Sequence, residues 1–192
     1  YIGLIDTLLG WKRGLGNKVR ILLVLIAAIP LMVINVGTTD MALPFIGKFD
    51  VGILYPLLLV PLGIAGTATT FNFLAGYNGL EARQGILVLG ALAVATFFTG
   101  SPWLTLVVLC MIAALFAFLF YNMYPAQVFP GDTMTYAVGA LIGATAILGN
   151  IEQFAVFIFI PYILEVCLKA RGSVRVESFA SPRKDGSLIL SQ

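Results

Sequence analysis

The chemistry open to this 192-residue chain is that of carboxylates, amides and a few cations. It has no histidine, so the commonest transition-metal ligand and the usual general base are both missing, and its two cysteines, Cys110 and Cys167, fall inside apolar runs. Zinc chemistry and histidine-based triads are excluded. Polar groups in an apolar chain are costly and are the first place to look for function. The distinctive ones are Asp6, Asn72 and Asn78 around a glycine-containing turn, Asn122 and Asp132 bracketing a later loop, and Arg175 in a basic tail. Each also has a structural reading. Asn72 can cap a helix end, and Asp132, in Pro130-Gly131-Asp132-Thr133, can N-cap a helix starting near Met134. Glu165 and Lys169 are spaced as a helical ion pair, and Lys12, Arg13 and Lys18 can hold anionic lipid headgroups.

The elements that must position these groups are membrane helices. Hydrophobic residues make up 60% of the chain and charged ones 10%, with a mean hydropathy of +1.01. A soluble domain would expose too much apolar surface at that composition. Eleven basic residues against nine acidic ones fit neither a disordered chain nor a nucleic-acid-binding domain. A span needs about 20 mainly apolar residues, and six runs qualify or come close: Val19 to Val36, Val51 to Thr70, Gly85 to Thr99, Trp103 to Tyr121, Met134 to Gly149 and Gln153 to Lys169. The opening YIGLIDTLLG reads as the last turns of a helix that began earlier, so the chain is expected to be a C-terminal fragment.

The expectation is therefore an all-α polytopic bundle of six spans plus the end of a truncated one, over residues 1–169, followed by a cytoplasmic tail, 170–192. On that topology ten of the eleven basic residues fall on one side and only Lys48 on the other, which puts loops 11–18, 71–84 and 122–133 in the cytoplasm. Prolines 30, 56, 61 and 161 mark kinks. Gly63, Gly66, Gly90, Gly139 and Gly143 offer close helix contacts, the last two as a small-xxx-small pair.

Two long segments then match a known pattern. Asn72-Phe73-Leu74-Ala75-Gly76-Tyr77-Asn78-Gly79-Leu80-Glu81 resembles the N-x-L-A-G-x-N-G-L-E loop of the polyprenyl-phosphate N-acetylhexosamine-1-phosphate transferases. It is closer to the branch that uses UDP-GlcNAc and dolichyl phosphate than to the muramoyl-pentapeptide branch. Fifty residues on, Asn122-Met123-Tyr124-Pro125-Ala126-Gln127-Val128-Phe129-Pro130-Gly131-Asp132-Thr133 is similar to the same family's N-x-Y-P-x-x-V-F-x-G-D-T. Gly3-Leu4-Ile5-Asp6 resembles the start of its aspartate pair, and Lys184-Asp185-Gly186-Ser187-Leu188 is weakly like its last cytoplasmic segment. The resemblance covers almost the whole chain, as the C-terminal two-thirds of a member.

The resemblance implies transfer of GlcNAc-1-phosphate, or another HexNAc-1-phosphate, from a UDP-sugar to polyprenyl or dolichyl phosphate, with release of UMP. It implies a magnesium ion, or manganese, on the Asn72 side-chain oxygen and the Asp132 carboxylate, since a hard cation takes oxygen ligands. Phe129 would lie against uracil, Asn78 would hydrogen-bond its edge, Gly76 would allow close backbone approach and Asn122 would join the substrate site. Lys18 and Arg175 would hold phosphates, and Asp6 would act as base or orient the metal and the lipid phosphate. The implied partners are the two substrates and membrane lipids, with no nucleic acid, and the family allows a homodimer. The implied location is the plasma membrane of a prokaryote, an archaeon in particular, or the endoplasmic reticulum of a eukaryote, with the site facing the cytoplasm.

The sequence departs from the pattern at Thr7, where a second aspartate is expected, and at Gly10 and Thr69. A catalytically silent member of the family is therefore a competing reading. A multi-pass transporter is another, although it would need polar groups at mid-membrane, where this chain is almost wholly apolar.

Overall fold

In the computed structural model the apolar runs become helices, and where they break is decided by proline and glycine. The structure describes residues 1–9, 16–34, 40–43, 47–74, 76–171, 180–182 and 188–190. In chain order the helices are α1 (Ile2–Leu9), α2 (Asn17–Ala27), α3 (Ile29–Val33), a π-helical turn (Tyr55–Leu59) leading into α4 (Val60–Phe73), α5 (Leu80–Phe98), α6 (Pro102–Asn122), α7 (Asp132–Leu148), α8 (Glu152–Ile158) and α9 (Ile160–Arg171). Two short antiparallel hairpins complete it. In one, β1 (Asp40–Leu43) pairs with β2 (Gly47–Asp50), Asp40 opposite Asp50; in the other, β3 (Ala180–Pro182) pairs with β4 (Leu188–Leu190), Ala180 opposite Leu190.

The expected six spans are not found. Among the described residues three helices are long and apolar enough to cross a membrane: Tyr55–Phe73, Leu80–Phe98 and Pro102–Asn122. A fourth appears if α8 and α9, bent by 59°, are taken as one. The physical reasons are local. Pro30 lacks the N–H that would continue the ladder, and the first run splits at Ala28 into an 11-residue and a 5-residue helix. Pro161 sits just past the break at Phe159 that bends the last run. With 17 residues, α7 rises only about 26 Å, short of the roughly 30 Å of hydrocarbon. Conversely, α5 starts five residues before the expected run, carrying Glu81 and Arg83 inside its first turns. The all-α bundle and its membrane character stand; the span count does not.

The bundle is organised around α7. Helix α4 packs antiparallel against it at a distance that admits no side chain: a Cβ on Gly139 would lie 2.6 Å from the Ala68 Cα and from the Thr67 carbonyl oxygen, and one on Gly143 2.4 Å from Thr67 Oγ1. This is the small-xxx-small contact, made in full. Gly66 and Gly90, by contrast, have nothing within 4 Å of such a position and make no close contact. Helices α5 and α6 form a hairpin turned at Gly100 (φ +79°), with Pro102 in the first turn of α6. Thr96 and Thr105 share a hydrogen bond at 2.9 Å, so both hydroxyls are satisfied where they are buried. Phe71, Leu89, Leu92, Val108, Val138 and Ile142 fill the space between the hairpin, α4 and α7. On the other flank, Tyr162 of α9 stacks on Phe71 and on Phe159, with ring centroids 5.4 and 4.4 Å away.

These contacts predict that Gly139→Val destabilises the protein by several kcal/mol, since backbone is what must move. Gly90→Ala should be neutral or stabilising by up to about 1 kcal/mol. Thermal melts of the two variants in detergent check both.

Candidate functional site

Because α4 and α7 run antiparallel in such close contact, the C-terminal turn of α4 meets the N-terminal turn of α7. Asn72 Oδ1 accepts a hydrogen bond from Thr135 Oγ1 at 2.8 Å, and the same hydroxyl lies 3.4 Å from the Asp132 carbonyl oxygen. Thr135, 1% exposed, thus fixes the amide oxygen of Asn72 beside the first turn of α7. Asp132 is not the N-cap that the sequence suggests. Gly131, extended at φ −89° and ψ 175°, takes that place, and no side chain caps the helix. Asp132 is therefore the first helical residue, where the positive end of the helix dipole favours its charge. Its Oδ2 lies 3.2 Å from an Arg20 guanidinium nitrogen, both side chains being about three-quarters covered.

Helix α1 reaches the same corner. A Cβ on Gly3 would lie 2.3 Å from the Asp132 carbonyl oxygen, so α1 crosses directly over the start of α7. Asp6 is three residues further along α1, about 4.5 Å by helical rise. The side chains of Asp6, Thr7 and Lys18 lie outside the described residues, although their helices are placed. Arg175, Gly10 and the Asp185 segment lie outside them entirely.

The two loops are tied together by one amide. Asn122, the last residue of α6, is fully buried. Its Oδ1 accepts from the Gly79 N–H at 2.9 Å and its Nδ2 donates to the Val128 carbonyl at 2.8 Å. Asn78 precedes Gly79 and Phe129 follows Val128, so their backbones are held at a fixed spacing. Phe129 is 61% exposed, and Asn78 is half-buried. Gly76 (φ +116°) and Gly79 (φ +75°) adopt conformations that side chains resist. The Gly76 N–H donates to Glu81 Oε1 at 2.7 Å.

Four contributors escaped the sequence reading. Thr135 follows Asp132 by one helical turn, which a search for polar groups on the Asp132 face would have caught. Arg20 shows only its charge in the sequence, since nothing in spacing alone pairs it with Asp132. Glu81 stands within the first motif, whose letters alone give it no role. Lys169 makes its expected contact with Glu165 at 3.6 Å, but its Nζ also donates to the Phe73 carbonyl at the end of α4 and lies 5.6 Å from the Phe73 ring centroid.

Two oxygen donors of the kind a hard divalent cation takes lie at this corner. Asn72 offers an amide oxygen and Asp132 a carboxylate, both half-buried; Thr135 ties the Asn72 oxygen to the Asp132 main chain, while the Asp132 carboxylate faces Arg20. No group of three or more His, Cys, Asp or Glu occurs among the described residues, so phosphate and water would complete the coordination.

Residues 1–150 match the model of the family described as glycosyl transferase family 4. Over 190 residues, 98% of this chain, the sequence is 37% identical to a protein of Saccharolobus solfataricus and 35% identical to one of Sulfolobus acidocaldarius. Both carry the name "Putative UDP-N-acetylglucosamine--dolichyl-phosphate N-acetylglucosaminephosphotransferase". Over 163 residues, 80% of this chain and 48% of the relative, it is 35% identical to a phospho-N-acetylmuramoyl-pentapeptide-transferase of Desulforamulus reducens. The chain spans 58% and 57% of the length of the two archaeal relatives.

Asn122→Leu removes both ties and leaves the Gly79 N–H and the Val128 carbonyl without a partner. It should cost roughly 2–6 kcal/mol, at about 1–3 for each orphaned group. A lowered melting temperature in detergent would report this; an unchanged one would show that the loops hold without the amide.

Proposed function

The chain belongs to glycosyl transferase family 4, and we propose that it transfers GlcNAc-1-phosphate, or a related HexNAc-1-phosphate, from a UDP-sugar to polyprenyl or dolichyl phosphate, releasing UMP. The observation that carries this reading is the convergence, at one end of an apolar bundle, of Asn72, Asp132 and the two loops joined by Asn122. An ionic nucleotide sugar can reach such an end from water, while a long-chain lipid phosphate reaches it from the bilayer.

The loops bind the nucleotide. Phe129 stacks on the uracil face, worth about 0.5–1.5 kcal/mol beyond area burial, Asn78 reads the base edge, and Gly76 lets the backbone approach. Asn122 serves the substrate from behind, through the loops it joins. Asn72 and Asp132 hold magnesium, or manganese, which when bound neutralises charge building on the leaving UMP. Arg20 balances Asp132, and Lys18 and Arg175 hold phosphates. Asp6, carried over the site by α1, orients the lipid phosphate or takes its last proton. That phosphate is largely ionised near neutrality, so little is asked of a base.

Arg20, Arg83, Lys169 and Arg171 belong to the same end as Asp132 and the two loops. This supports a cytoplasmic orientation of that end, and similarity to two archaeal proteins supports an archaeal plasma membrane. The concentration of polar groups at one end also tells against a transport path.

Protein purified at its full encoded length should convert UDP-GlcNAc and dolichyl phosphate, with magnesium, to labelled lipid and UMP. Failure with every UDP-HexNAc donor would sink the proposal. Asn72→Ala and Asp132→Ala should each lower kcat at least 100-fold, on the order of 3 kcal/mol, while melting near wild type. Near-normal activity in either would refute the metal assignment. Thr7→Asp should raise turnover if the missing carboxylate limits it, and a silent wild type revived by this change would identify the silent-member reading as correct.

A further inference from the structure

Of the charged side chains described, Glu81 is the one that is buried, at 3% exposure. It stands in the second position of α5, two residues after the Gly76–Gly79 turn. Its Oε1 accepts the Gly76 N–H at 2.7 Å, while its Oε2 is buried and has no partner among the described residues. The hydroxyl of Tyr162, within electrostatic range, and Oε1 of Gln84, one turn along α5, are also buried without a partner. A carboxyl in such surroundings is a poor way to stabilise a helix bundle. Its desolvation costs several kcal/mol, and the hydrogen bonds from the Gly76 N–H and from its own N–H return only part of that. A neutral amide or an apolar side chain of the same length would be cheaper.

What the carboxyl does instead is local. The α5 N-cap is Gly79, which has no side chain to cap with, and its own N–H is taken by Asn122. Two residues of the turn hold positive φ, so the turn has no steric preference to keep it in this shape. Glu81 closes it from the helix side, reaching back five residues to Gly76 as a capping-box glutamate reaches back to an N-cap. Asn122 fixes one end of the 76–79 turn and Glu81 the other. Asn78 lies between.

We propose that Glu81 is a positioning residue for the donor nucleotide: its Oε1 sets the Gly76–Gly79 turn and so the reach of Asn78. The nucleotide part rests on the function proposed above. An oxygen acceptor is required, and a negative charge is not. Glu81→Gln keeps the acceptor, and Glu81→Met keeps the length and loses it.

The test compares both variants with wild type in detergent by melting temperature, by amide hydrogen exchange of residues 74–79, and by the separate KM values for UDP-GlcNAc and dolichyl phosphate. Glu81→Met should melt at or above wild type, exchange faster in this segment, and raise the donor KM about tenfold, the factor one lost hydrogen bond supplies. The acceptor KM should not move. Glu81→Gln should match wild type in exchange and in both KM values. Unchanged exchange in Glu81→Met, a Glu81→Gln variant as impaired as Glu81→Met, or a lowered melting temperature with both KM values raised alike would each overturn the proposal. A wild type that turns over no UDP-HexNAc would sink the transferase reading and the nucleotide role with it. The exchange comparison would then still decide whether Glu81 holds the turn.

Discussion

Two missing side chains on α7 set the rest of the arrangement. Where Gly139 and Gly143 face α4, the helix backbones touch, and a Cβ at either position would fall well inside van der Waals contact distance of a main-chain or threonine atom. Contact this close fixes register as well as distance, because sliding the helices by one residue would drive a side chain into backbone. Fixed register is what puts the last turn of α4 opposite the first turn of α7, and Thr135 then joins Asn72 to the Asp132 carbonyl. Gly3 repeats the device for α1. The site is assembled by omission of side chains some way from it, and its polar groups inherit their positions.

A second constraint follows from low polarity. In an apolar bundle a buried polar atom cannot borrow water, so one left without a neighbour to bond is costly. Most of those spent near the site go to backbone: Asn122 to Gly79 and Val128, Glu81 to Gly76, Lys169 to Phe73. Main-chain groups in loops are what an apolar core cannot satisfy, so these side chains act as the secondary structure that the loops lack. The more exposed Asn78 and Phe129 stay available at the surface that these ties create.

How much of this could be read from the residues depended on range. The helix runs, the glycine pair on α7 and the Glu165–Lys169 contact are local in sequence and were legible. The span count was not, because hydropathy adds up apolar residues without weighing what Pro30 and Pro161 do to the hydrogen-bond ladder. Asp132 looked like an N-cap because Asp often is one; only the extended Gly131 before it shows that the carboxylate is in the helix. The motifs single out Asn72, Asn78 and Asp132 through resemblance, but Arg20, more than a hundred residues from Asp132, carries no signal of its partner. Long-range pairing is a property of packing, and a single sequence displays it only where a familiar pattern has already recorded it.

Helix α6 shows the other side of the same economy. Just 22% of its span is buried, and Phe116, Phe120, Leu106 and Val107 point away from the bundle. Its inward positions must match specific neighbours, whereas its outward ones need only be apolar enough for their surroundings. The outer face of α6 is thus constrained in composition and free in order, so related chains should drift there by exchange among Leu, Ile, Val and Phe. On α7 the facing positions admit glycine and nothing larger. One bundle should thereby hold two rates of sequence change side by side, the slow one marking where backbones touch.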